Sequence, residues 1–155
     1  MQPIKIIISG NLPVKKNTKR MTFFMKTKGG KRLRETPIVY YTDVYKQWAK
    51  IAIQTLAVFK TKHLEIEFPI QDQLNLRCLV YRDNFRNADG TNLLEGIQDV
   101  LSGKSGVDKD YNISSSIYQI IEDDNLRFVG SYDGTRFLID LVNPRTEIIL
   151  SEYIL

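Results

Sequence analysis

Carboxylates gather at two places in this chain. The first is the stretch Asp89-Gly90-Thr91-Asn92-Leu93-Leu94-Glu95-Gly96-Ile97-Gln98-Asp99-Val100-Leu101, and the second is the adjacent pair Asp123-Asp124. Acidic side chains held together repel one another until a cation arrives, so such clusters suit a hard metal ion. Magnesium prefers carboxylate and water oxygens; one or two protein carboxylates usually hold it while a substrate phosphate completes its shell. Beside a phosphodiester the ion neutralises the phosphate, generates the hydroxide and steadies the leaving oxygen. Asp89, opening a helix, and Asp124, flanking a strand, are the leading ligands, brought from separate elements.

The charge distribution points the same way. Residues 1–50 hold twelve Lys and Arg against Glu35 and Asp43, a net of +10, while the rest of the chain carries −6 and the whole +4. A positive arm joined to an acidic body is the layout of a phosphate-gripping surface beside a cation site. The plainer account is a solvated loop that balances an acidic body. Two tempting motifs fail. Gly103-Lys104-Ser105 ends like a phosphate-binding loop, but Gln98 stands where Gly is required and no strand precedes it. Asp108, Asp110 and Asn112 start like a calcium loop, yet Ile113 and Gln119 replace the turn Gly and the terminal Glu. His63, the only histidine, reads as a surface or packing residue rather than a base.

The elements that position these groups follow from periodicity. Ile4 to Ser9 is a β-branched run ending at Gly10 and reads as a buried strand. Residues 13–37 read as a long basic loop or twisted hairpin, with strand-like Ile38 to Tyr41 on its far side. Thr42 or Asp43 caps a helix running to about Phe59, with Tyr45, Trp48, Ile51, Ala52 and Leu56 on its apolar side. Trp48 is expected in the core rather than as a platform for a base. Leu64 to Phe68 and Leu74 to Tyr81 alternate as strands do. Asp89 starts the second helix. At 100° per residue Leu93, Leu94, Ile97, Val100 and Leu101 share one side, and Asn92, Glu95, Gly96 and Asp99 the other. The polar stretch 104–116 reads as a loop or insertion. Strands are expected at Ile117 to Ile121, Leu126 to Val129 and Phe137 to Val142, a turn at Tyr132-Asp133-Gly134, and a terminal strand or short helix at Ile148 to Ile154.

At 155 residues with 43% hydrophobic content the chain fits one domain with a real core. Cys78 alone allows no disulfide framework and reads as a small core residue, which fits a reducing cytoplasm. The apolar run Ile6 to Ile8 is too short for a signal peptide, and no stretch approaches a membrane span. A soluble, cytoplasmic protein is the expectation.

The run Asp89-x-x-Asn92-Leu93 followed by Asp99-x-Leu101, then Asp123-Asp124-Asn125 leading into a strand, resembles the RusA-type Holliday junction resolvases, the crossover junction endodeoxyribonucleases. So does the opening strand leading to Pro13 and a Lys/Asn-rich loop. The similarity is loose over about the first sixty residues and tighter over Leu74 to Leu101 and Ile121 to Val142. It implies a small α+β fold with a mixed or antiparallel sheet and two main helices, spanning residues 1–155 as a single domain. It further implies a homodimer, nicking of four-way DNA junctions with Mg2+ or Mn2+, and a phage or prophage source.

The departures matter. Thr91 stands where the family's second carboxylate is expected, and Glu95 where its best-known members carry a Lys. Glu95 lies one helical turn after Thr91, so its longer carboxylate could take over. The resemblance then gives a metal set of Asp89, Glu95 and Asp124, or else of Asp89, Asp123 and Asp124 with Glu95 merely solvated. Asn92 orients a ligand or binds backbone in the first turn; Asp99 is carried along by the resemblance, or makes a salt bridge. Lys15, Lys16, Asn17, Lys19, Arg20, Lys31, Arg32 and Arg34, with Lys26 and Lys28 between them, would grip the DNA backbone. Two readings compete with the resolvase: a catalytically impaired nucleic-acid-binding protein, and a nuclease that attacks flaps or RNA.

Overall fold

The computed structural model describes residues 1–14, 19–24, 27–28, 31–32, 36–84 and 89–154, with 19–41 and 108–109 described by backbone alone. In chain order these form β1 (Ile4–Ser9), β2 (Lys19–Phe24), β3 (Thr27–Lys28), β4 (Lys31–Arg32), β5 (Thr36–Tyr41), α1 (Asp43–Lys62), β6 (Leu74–Arg82), α2 (Gly90–Leu101), β7 (Val129–Ser131), β8 (Arg136–Ile139) and β9 (Arg145–Glu152). The class is α+β: two α-helices and a five-stranded mixed sheet, ordered β1-β9-β6-β7 with β8 also on β6. β9 runs antiparallel to both β1 and β6, whereas β7 and β8 run parallel to β6. Separately, β2 pairs antiparallel with β5 and β3 with β4.

Alternation in the strands puts one face of the large sheet inward. Ile4, Ile6 and Ile8 of β1 are buried, as are Leu74, Leu76, Cys78 and Val80 of β6, and Ile148 and Leu150 of β9. Register aligns them across the sheet: Ile6 with Ile148, and Ile148 with Cys78. The helices cover this face with Tyr45, Trp48, Ala49, Ala52, Ile53 and Leu56 of α1 and Leu93, Ile97, Val100 and Leu101 of α2. Each large apolar side chain moved from water contributes roughly 1.5–3 kcal/mol, which is what holds the helices down.

Several expectations need correction. Leu64 to Phe68 is not a strand; it lies in turns and bends, with the Ile66 N–H given to the His63 carbonyl at 3.1 Å and Leu64 exposed. Local bonds of this kind take the groups a ladder would need. Ile117 to Ile121 fails likewise. Ser115–Ile117 is a 3₁₀ turn, and Ile121 makes only an isolated bridge to Ile70. Three serines in a row favour such local bonding. The strand at Phe137 stops at Ile139, leaving Leu141 and Val142 exposed. On α1, Ile51 is exposed, and Ala49 and Ile53 are buried instead. Residues 104–116 are packed rather than simply inserted: Ser105 and Val107 are buried, and the Tyr45 hydroxyl donates to the Ser105 carbonyl at 3.2 Å.

Candidate metal and nucleic-acid site

α2 carries the acidic stretch, and its start is fixed by a side chain. Asp89 has extended backbone and caps the helix, accepting the Thr91 N–H at 3.0 Å and the Thr91 hydroxyl at 2.5 Å on the same oxygen. An N-terminal carboxylate also meets the positive end of the helix dipole. Thr91, standing where a second carboxylate was looked for, is thus a donor to the first. Asn92 is half-buried in the first turn and Glu95 is exposed one turn further on. The polar face of α2 is not wholly solvated, since Gly96 and Asp99 are buried. Gly96 lets Leu12 approach the helix, with a methyl carbon 4.0 Å from where a Cβ would sit.

Past the C-terminus the chain turns at Gly103, whose φ of +73° favours glycine, and this sets Lys104 on a return path. The N–H groups of Ile120 and Ile121 both reach the Leu101 carbonyl, at 2.9 and 3.2 Å, and so return residues 120–124 to the end of α2. There the Lys104 ammonium contacts both members of the acidic pair, Asp123 Oδ1 and Asp124 Oδ1, the latter at 2.9 Å. Asp123 Oδ1 also accepts the Asp124 N–H at 2.7 Å. Hydrogen bonding to Asp124, and then to Lys104, holds the Asp123 carboxyl well below the usual carboxylate range. The bonds to Asp123 and Asp124 hold the Lys104 ammonium above its ordinary value. Gln98 ties this corner to the helix, donating to the Tyr132 hydroxyl at 2.5 Å and to the Asp124 carbonyl at 3.4 Å. Burial, and next the Asp124 charge, push the Tyr132 phenol up.

The sequence-predicted residues therefore fall into two groups. Asp123 and Asp124 come together, with Glu95 three residues before Gln98 on the same side of α2. Asp89 lies nine residues before Gln98, roughly 14 Å along the axis at 1.5 Å per residue. Among the described residues no group of three or more His, Cys, Asp or Glu side chains stands ready to hold a metal. The donor chemistry of the pair nonetheless fits a hard cation, since Asp123 and Asp124 already present oxygens to one positively charged nitrogen. Gln98, Lys104 and Tyr132 were not singled out as site residues. Only Gln98 left a signal, by lying seven residues after Thr91 on the same helical stripe.

Of the expected DNA-contacting residues, Lys15, Lys16, Asn17, Lys26 and Arg34 lie outside the described residues. Lys19 and Arg20 open β2 and Lys31 and Arg32 form β4, described by backbone alone. His63 is partly exposed, stacked on Phe59 at 4.2 Å and 2.9 Å from Glu65. No helix among the described residues is long and apolar enough to cross a membrane. Compared with known proteins, the chain matches no protein-family model and no curated protein.

Proposed function

We propose that the protein is a divalent-metal-dependent endonuclease of branched DNA, acting as a homodimer in the manner of the RusA-type junction resolvases. The observation that carries this reading is the Asp123-Asp124 pair holding one cationic nitrogen beside the polar stripe of α2. In this role Asp123 and Asp124 would hold Mg2+ or Mn2+, with Glu95 one turn up the stripe as a further carboxylate, while Asp89, roughly 14 Å along the axis from Gln98, would have to be brought in by the bound substrate. The ion supplies Lewis-acid stabilisation and a nucleophilic water when bound. Gln98 orients the site by fixing the Asp124 backbone and the Tyr132 phenol. The basic segment within residues 13–37 supplies phosphate contacts that weaken with salt. A two-fold dimer matches the symmetry of a four-way junction.

The test is cleavage of a four-way junction, a flap, a duplex and a single strand, in Mg2+ and in Mn2+. The expected result is nicking of the junction that Asp124→Asn and Asp89→Asn abolish without loss of junction binding. Glu95→Gln decides between the two ligand sets, because unchanged cleavage leaves Asp89, Asp123 and Asp124. A second reading, a junction-binding protein without catalysis, is favoured by Thr91 acting as a donor to Asp89 and by Lys104 filling the acidic pair. Tight junction binding with no product in either metal would select it.

A further inference from the structure

Three large apolar side chains lie in water at the connection between β8 and β9. Ile139, Leu141 and Val142 are 57%, 76% and 93% exposed. Isolated exposed apolar residues such as Leu64 and Leu126 are ordinary on a protein surface, but three within four positions call for a partner. The turn that carries them is held from several sides. Asp140 Oδ1 accepts the N–H groups of Val142 and Asn143, at 3.1 and 3.0 Å. Asp140 Oδ2 accepts from Arg145 Nη1 at 2.9 Å, and the same nitrogen donates to the Asn143 carbonyl at 3.1 Å. The Arg145 guanidinium lies 3.8 Å from the centre of the Tyr81 ring. The Asp140 N–H reaches the Arg82 carbonyl at 2.8 Å, and the Gly10 N–H reaches the Pro144 carbonyl at 2.9 Å. A loose loop would fold its apolar side chains back onto the protein. This one is tied to β6, to the end of β1 and to itself, and leaves Leu141 and Val142 in solvent.

The neighbours of the turn select the partner. Gly10, bonded to Pro144, follows β1 and leads within a few residues into the basic segment 13–37. β8 pairs with the end of β6, Phe137 beside Val80 and Ile139 beside Arg82. Phe137 lies 3.0 Å from where a Cβ on Gly90 would sit, so α2 and its cap Asp89 begin next to β8. Ile139 follows Phe137 on the same side of the strand, roughly 7 Å further along. The apolar turn therefore stands between the root of the phosphate-gripping segment and the carboxylate that opens α2. Phosphates held by that segment bring bases to the same end of the sheet, and the base face is the apolar part of a nucleic acid. Leucine and isoleucine pushed between base steps unstack them and kink the duplex. Insertion costs least at a branch point, where the stack is already interrupted.

We propose that Leu141 and Val142, backed by Ile139, form an apolar wedge that inserts against the open base face at the branch point of a DNA junction. The wedge rests on the branched-DNA reading and adds to it the feature of the substrate that is contacted. The experiment places 2-aminopurine, whose emission rises on unstacking, at the centre of a four-way junction. The whole protein is titrated in with Ca2+ in place of Mg2+, so that the strands stay intact, and fluorescence anisotropy gives the affinity in parallel. The expected result is a rise in emission at the branch and none at a position within an arm. Leu141→Ser combined with Val142→Ser removes the rise, with an unchanged melting temperature and an affinity within about threefold, because the phosphate contacts are untouched. Leu141→Met combined with Val142→Ile retains it, and Asp140→Ala, which releases the turn, weakens it. A rise that survives the two serines, or no rise on a junction that the protein binds, would overturn the wedge. Junction cleavage in Mg2+ without a rise that depends on Leu141 and Val142 sinks the wedge and keeps the nuclease reading; such a rise without cleavage does the reverse. A protein that binds no junction overturns both.

Discussion

Lys104 links residues that stand 19 and 20 positions away in the chain, and its ammonium lies between two carboxylates that are each about one-third exposed. Solvent screening keeps such an interaction small, yet its pH dependence is specific. Asp123 has a depressed folded-state pKa, so its contribution is full above the unfolded value near 4 and fades as pH falls through the folded one. Lys104 is raised, so its contribution is full below the unfolded value near 10 and fades as pH rises through the folded one. Lys104→Met should therefore lower the urea midpoint slightly at pH 7 and converge on the wild type towards both extremes; a midpoint difference that does not vary with pH would refute this. Cys78 offers a second test. It is fully buried and its thiol is pushed up to about 12, so a thiol reagent should label the folded protein negligibly and one group per chain after denaturation. The acidic pair was legible in the sequence because its members are adjacent. Its lysine was not, because it sits in a polar segment with no periodicity and meets the carboxylates only through the turn at Gly103.

α2 is the element whose start the sequence placed best. Asp89 was the expected cap and is the cap, because a short polar side chain before an apolar run of helical period has one favourable use. Asp89→Ala should cost about 1 kcal/mol in urea denaturation, the usual value of an N-cap. Asp89→Asn retains an acceptor and should cost far less, so a loss of junction cleavage in that variant reports chemistry rather than stability. Periodicity also gave β1, β6 and the bulk of α1. It misplaced Leu64 to Phe68, Ile117 to Ile121 and all but the last residue of Leu126 to Val129, whose backbone groups are spent on local turns. Alternating side chains establish a face, but only a neighbouring edge makes a strand.

At the scale of the molecule, β9 joins β1 to β6, with Ile148 paired to Ile6 on one side and Cys78 on the other. The central ladder thus depends on the most C-terminal of the described elements. Such non-local pairing imposes a loop-closure cost before any contact rewards it. During synthesis, β1 and β6 emerge with their shared neighbour still inside the ribosome, leaving two apolar edges open to aggregation or chaperone capture. Ribosome-arrested chains ending before Arg145 should be cleaved readily by protease, and chains with β9 clear of the exit tunnel should resist it; early resistance would show that the helices condense on β6 alone.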